Sequence, residues 1–127
     1  MRSNPNPKSK PLTEFACSTQ LAWVSEWIRW AMDELEEFVE RTPYRDTFDR
    51  VNRAIARLVM ARHHLAYAME RVGSPAAHVR CAANLVAEAY AILDQSPFED
   101  YIELCGVLEL LDTIDRKLRE IARAMER

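Results

Sequence analysis

Residues 21–38, LAWVSEWIRWAMDELEEF, carry the pattern that decides the fold. Apolar residues recur in this stretch at alternating intervals of three and four positions: Leu21, Val24, Ile28, Ala31, Leu35 and Phe38. On an α-helix this spacing places the side chains on one stripe, and antiparallel helix bundles bury stripes of this kind. The spacing returns from Phe48 to Val72 and from Leu104 to Met125. The sequence therefore predicts amphipathic helices packed around one core.

Three proline dipeptides divide the chain into four such helices. Thr42-Pro43, Ser74-Pro75 and Ser96-Pro97 each place a capping hydroxyl before a proline, which suits the first helical turn. Glu99 completes a capping box with Ser96, and Gly73 is suited to end the preceding helix. Because connections this short make consecutive helices antiparallel, we expect an all-α, up-down-up-down four-helix bundle. The predicted helices cover residues 13–41, 43–72, 75–95 and 97–126.

The composition fits a single helical domain. The 127 residues are 49% hydrophobic and 29% charged, which is enough to form one core, and two glycines leave little material for hairpins or phosphate-binding loops. We expect a flexible N-terminal tail over residues 1–12, without the apolar segment of a secretory signal, and one bundle domain over residues 13–127. The longest apolar runs have five residues, so the sequence predicts no membrane-spanning helix.

Charge and cysteine content indicate the class of partner and the compartment. The formal net charge is −3 and the sequence pI is near 5.6, which argues against general nucleic-acid binding. Cys17, Cys81 and Cys105 are odd in number and form no Cys-x-x-Cys pair, a pattern typical of reduced thiols in a cytoplasmic protein. The chain has no Glu-x-x-His pair of the kind found in dinuclear metal bundles, so we expect neither a metal nor another cofactor.

Three tryptophans lie outside the apolar stripe of the first helix. Trp23, Trp27 and Trp30 fall within eight residues, and clustered exposed tryptophans are typical of protein interfaces. We therefore predict that this face binds a partner protein or a second copy of the chain; the alternative is burial under the tail or another helix. The fourth helix carries a second apolar strip at Phe98, Tyr101, Ile102 and Cys105. An interface and burial on two sides explain that strip equally well.

Opposite charges are expected to meet where the first helix turns into the second. The first helix ends in a run of acidic residues: Asp33, Glu34, Glu36, Glu37 and Glu40. The second helix begins with basic residues: Arg45, Arg50 and Arg53. Both groups oppose the helix dipole, and an antiparallel hairpin places them side by side. We expect solvated pairs along a charged rim of Glu34, Glu37, Arg50 and Arg53; the alternative is an acidic patch that faces a basic protein partner.

Arg62 interrupts the apolar stripe of the second helix. Arginine stems commonly lie along apolar surface while the guanidinium stays in water. The alternative is a buried ion pair with Asp115 of the fourth helix, which would fix the register between the two helices.

Arg57, His63 and His64 form the one candidate catalytic group. Their Arg-x5-His and Arg-x6-His spacings resemble the Arg-x4–6-His element of HEPN-type helical ribonucleases, although Leu58 stands where that family usually has a polar residue. The resemblance implies a dimer that cleaves RNA without a metal, in which histidine acts as general acid or base and arginine holds the phosphate. The alternative is a solvated polar face of the helix.

The favoured function is non-enzymatic. We expect a small cytoplasmic regulator or inhibitor, homodimeric through its aromatic face, that binds and sequesters a partner protein such as a transcription regulator. The metal-independent ribonuclease is the alternative. Nucleic-acid binding by the second helix and the basic tail is the least favoured of the three.

Overall fold

The expected all-α four-helix bundle is confirmed. The computed structural model describes the backbone of residues 10–126 and the side chains of residues 17–97, 100 and 102–126. Its four helices are α1 (Lys10–Arg41), α2 (Arg45–Met69), α3 (Pro75–Asp94) and α4 (Phe98–Met125), and no strand occurs within the described range. α1 begins three residues earlier than predicted. Most of the predicted tail lies outside the described residues.

The core of the bundle is the apolar stripe of each helix. Consecutive helices pack against one another, and α1 also packs against α4, which closes the ring. All six predicted stripe residues of α1 are buried. The contacts that join helix ends fit the predicted antiparallel order, because Arg41 at the end of α1 pairs with Glu103 near the start of α4. No described helix has both the length and the apolar content to cross a membrane.

In α2 the buried stripe differs from the predicted one. Phe48 and Val72 were expected in the core, but their side chains are 45% and 51% exposed, and Val72 lies beyond the end of the helix. Alanines take much of the buried face instead, together with larger residues of the predicted stripe: Val51, Ala54, Leu58, Ala61, Leu65 and Ala68. Small side chains let two helices approach closely, so the buried alanines allow α2 to pack closely against its neighbours.

Two of the three predicted N-caps are wrong. Ser74 caps α3 as expected, because its Oγ accepts a hydrogen bond from the Ala77 N–H at 3.3 Å. Thr42 does not cap α2, since its Oγ1 accepts from the Tyr44 N–H and the helix begins only after that residue. Ser96 does not cap α4 either: its N–H donates to the Leu93 carbonyl at the end of α3, and its Oγ is buried without a partner. The Glu99 side chain of the predicted capping box lies outside the described residues.

The turn between α2 and α3 requires left-handed backbone. Gly73 has φ +69°, as predicted for the residue that ends the second helix, and Arg71 has φ +60°. Glycine adopts this conformation without the steric cost of a Cβ. The turn therefore depends on Gly73 for its shape.

Candidate interaction face

The exposed tryptophans form one stripe on α1, here called the tryptophan face: Trp23, Trp27 and Trp30. Their spacing of four and then three residues places them within one narrow sector of the helix. The side chains of Trp23 and Trp30 are 61% and 54% exposed, whereas Trp27 is half-buried and packs against the core. The tryptophan face thus consists of one half-buried indole, Trp27, between two exposed indoles.

The rotation of α1 places the tryptophan face on the side towards α4. Arg41 is aligned with this face, and its Nη2 donates to Glu103 Oε2 of α4 at 3.0 Å. The opposite edge of α1 faces α2, where buried Ser25 accepts a hydrogen bond from Arg62 Nε at 3.2 Å. The indoles therefore lie beside the contact between α1 and α4.

The alternative considered for Arg62, an ion pair with Asp115, does not form. Arg62 bonds Ser25 of α1, and Asp115 accepts from Arg119 Nε at 3.0 Å within α4. Arg62 lies on the edge of α2 that faces α1, whereas a pair with α4 would require it to point across the core.

The second apolar strip is not part of the tryptophan face. Ile102 is 63% exposed, but its neighbour Glu103 pairs with Arg41, which lies eleven residues beyond Trp30. At 1.5 Å per residue this separates the two regions by about 16 Å along the bundle. The side chains of Phe98 and Tyr101 lie outside the described residues.

The predicted charged rim is divided between two surfaces. Glu34 and Glu37 continue the tryptophan face towards the end of α1, while Arg50 and Arg53 line an open depression along α2. Among the described residues, no ion pair joins these acids to these arginines. The expected compensation across the turn between α1 and α2 is therefore wrong.

One edge of the tryptophan face carries a compensated ion-pair chain. Arg29 Nη2 donates to Glu26 Oε1 at 2.6 Å, and Arg29 Nη1 lies 3.5 Å from Asp33 Oδ2. The hydrogen bond from Arg29 holds the pKa of the Glu26 carboxyl below its ordinary value, and Glu26 in turn raises the pKa of Arg29. These three side chains are exposed, so solvent screens their ion pairs, and the pairs contribute little to the stability of the fold.

The candidate catalytic residues are engaged separately. Arg57 Nε donates to Glu88 Oε1 of α3 at 3.0 Å, and His63 is exposed. His64 Nδ1 lies 2.9 Å from His78 Nδ1 of α3. No contact among the described residues brings Arg57 and either histidine of α2 to a common point. Ribonuclease activity stays an untested prediction.

The imidazoles of His64 in α2 and His78 in α3 face each other. Their Nδ1 atoms lie 2.9 Å apart and their ring centroids 5.2 Å apart, so a hydrogen bond between them requires one nitrogen to donate and the other to accept. Burial lowers the pKa of His64, and the charges of the neighbouring His78 and His63 lower it further. The nitrogens point at each other and not at a common ligand position. Within the described part of the chain, no group of three or more His, Cys, Asp or Glu side chains is placed to hold a metal ion.

Sequence reasoning missed most of the exposed apolar residues of α2 and its flanks: Tyr44, Phe48, Val59, Met60, Tyr67 and Val72. They are spread around the helix, and Tyr67 contacts both His64 and His78 edge-on or tilted. Their spacing does not form a single stripe comparable to the tryptophan face. Comparison of the chain with protein-family models, with curated proteins and with solved structures found no match.

Proposed function

We propose that this protein is a non-enzymatic cytoplasmic regulator that binds a partner protein through the tryptophan face. The observation that carries the proposal is the exposure of Trp23 and Trp30 in a chain whose core is already closed. Tryptophan is the residue type most enriched among the side chains that dominate binding energy, and exposed indoles in one stripe match the helix-to-helix mode of recognition. Binding would act by covering the surface through which the partner itself associates.

The area of the two exposed indoles defines their role in such a complex. At up to about 250 Å² per tryptophan side chain, their exposed fractions amount to about 290 Å². A stable interface buries about 800 Å² on each partner. The indoles therefore supply the centre of the interface, and the flanking surfaces of α1 and α4 supply the remainder.

Replacing the two indoles by charge tests the proposal. The double variant Trp23→Glu/Trp30→Glu is compared with Met60→Glu, which adds a charge at an exposed apolar position of α2. Capture from native cytoplasm is run on the wild type and both variants, after circular dichroism has shown each to be folded. We expect one partner to be retained by the wild type and Met60→Glu and lost by the double variant, since each anchoring tryptophan contributes about 2 kcal/mol or more.

Two outcomes would contradict this function. Equal capture by all three proteins would mean that the indoles do not contact the partner. Light scattering that shows a wild-type dimer dissociated by Trp23→Glu/Trp30→Glu would mean that a second copy of the chain occupies the face. That result would support the homodimer expected from the sequence, which stays untested, in place of the foreign partner proposed here.

A further inference from the structure

The tryptophan face ends in two carboxylates. Continuing the spacing of Trp23, Trp27 and Trp30 leads to Glu34 and Glu37, so all five residues share one stripe. Arg41 is the next residue of the stripe, and its guanidinium is engaged by Glu103. From Trp23 to Glu37, a rise of about 21 Å along the helix, the surface changes from apolar to acidic.

Glu34 and Glu37 are not neutralised within the described residues. Both are exposed and neither takes part in an ion pair or hydrogen bond there, whereas Glu26 and Asp33 share Arg29. Arg41 lies one turn beyond Glu37, and its charge is already paired with Glu103 of α4. The end of the stripe therefore presents two carboxylates for which no described side chain supplies an ion-pair partner.

The flank of α4 leaves room beside the acidic end of the stripe. The stripe of α4 that contains Glu103 continues through Gly106, Leu110 and Thr113, of which only Leu110 is partly buried. A Cβ added at Gly106 would meet nothing within 4 Å. The surface beside Glu34 and Glu37 is therefore open at Gly106, which leaves space for a helix to lie along α1.

We propose that the occupant of this face is a cationic amphipathic helix, whose apolar residues cover Trp23 and Trp30 and whose lysines or arginines face Glu34 and Glu37. This inference rests on the proposed function and adds the chemistry of the partner. A second copy of the chain is a poorer match: an antiparallel pairing that sets Trp23 against Trp30 puts Thr19 opposite Glu34, with no positive charge. Complementary charge also sets the orientation of the partner helix along the tryptophan face.

The chain contains its own reporter for the test. Its three tryptophans are those of the face, so a change in indole fluorescence reports on this face, with the half-buried Trp27 also sensing the core beneath it. The probes are two 18-residue helical peptides with leucine and alanine at identical positions, without tyrosine or tryptophan. One carries lysine at every polar position and the other glutamate. We expect the lysine peptide to shift the indole emission to shorter wavelength in a saturable titration, and the glutamate peptide to leave it unchanged.

Matched variants separate local pairing from overall charge. Glu34→Gln/Glu37→Gln and Glu36→Gln/Glu40→Gln both change the formal net charge from −3 to −1 in the same half of α1. Only the first pair lies on the stripe. We expect the first variant to weaken binding of the lysine peptide roughly fivefold, the contribution of two exposed ion pairs. The second variant should weaken it by less than about twofold, since those charges lie across the helix.

Each remaining outcome overturns the inference in a distinguishable way. Equal binding of both peptides, or equal effects of the two variants, would mean that the face binds apolar helices without preference for cations; the proposed function would stand and the partner chemistry would be wrong. No emission shift with either peptide, while the wild type still captures a partner that Trp23→Glu/Trp30→Glu loses, would exclude a cationic helix as that partner. Wild-type indoles already shielded in a dimer would overturn both proposals.

Discussion

The buried hydrogen bond between Thr47 and Asp100 should be the most costly polar contact of the bundle to remove. Thr47 Oγ1 donates to Asp100 Oδ2 at 2.7 Å and joins the first turn of α2 to the first turn of α4. Asp100 is only 7% exposed, so water cannot replace the hydroxyl freely. Thr47→Val keeps the shape of the side chain and removes the donor. Because a hydrogen bond to a charged group contributes about 1.5–3 kcal/mol, we expect the free energy of unfolding to fall by about 2 kcal/mol.

Thr113→Val is the matched control for this change. Thr113 Oγ1 donates to the Glu109 carbonyl at 3.0 Å on the exposed surface of α4, so its loss should alter stability by less than about 0.5 kcal/mol. Urea unfolding followed by circular dichroism gives the change in unfolding free energy of each variant from the shift of its midpoint, provided that the m-values of variant and wild type agree. Adding Asp100→Ala to Thr47→Val should cost less than the sum of the two single changes, since each single change leaves the other partner unsatisfied. Equal stability of Thr47→Val and Thr113→Val would refute the reasoning.

Two further predictions concern the region where α2 meets α3. The pKa of His64 is lower in the folded chain than its ordinary value of 6.5, so below that pH the unfolded chain binds more protons. The contribution of the neutral imidazole to stability is therefore complete above pH 6.5 and is lost as the pH falls through the lowered pKa. Between about pH 7.5 and pH 5, the free energy of unfolding should therefore fall more for the wild type than for His64→Gln. Equal decreases for the two proteins would contradict this. Gly73→Ala should destabilise the protein by about 1 kcal/mol, since alanine is strained at φ +69° while the nearest atom to its Cβ, His78 Nε2 at 3.5 Å, allows ordinary contact. An unchanged or higher melting temperature would show that the turn relaxes without cost.

Sequence periodicity predicted α1 well and α2 only in part, for a physical reason. Every stripe position of α1 is apolar and all six are buried, so pattern and burial coincide. In α2, alanines at 54, 61 and 68 are buried while Phe48 is exposed. Reading hydrophobic periodicity gives most weight to large apolar side chains. Two helices that pack closely need small side chains, such as alanine, at their contact. The rotation of α2 about its axis therefore depends on its neighbours and not on its own sequence alone.

Side-chain partners were harder to predict than helices. The spacing of residues along α1 was enough to predict that Trp23 and Trp30 lie outside its apolar stripe. The partner of Arg62 depends on which edge of α2 faces α1. The position of Ile102 along the bundle axis depends on how far α4 is shifted relative to α1. Neither quantity is encoded within one helix. Contacts between helices therefore could not be decided from the sequence, even where each helix was assigned correctly.

The closed core bears on what kind of association the tryptophan face supports. Leu21, Ile28 and Leu35 are fully buried within a single chain, so α1 needs no partner to cover its stripe. Burying the roughly 290 Å² of exposed indole yields about 7 kcal/mol at 25 cal/mol per Å², before the cost of association is subtracted. A micromolar complex requires about 8 kcal/mol net. The indoles alone are therefore insufficient for a lasting complex, and the proposed partner would need further contacts along α1 and α4 and at Glu34 and Glu37. Such a partner would associate reversibly with a bundle that is already folded.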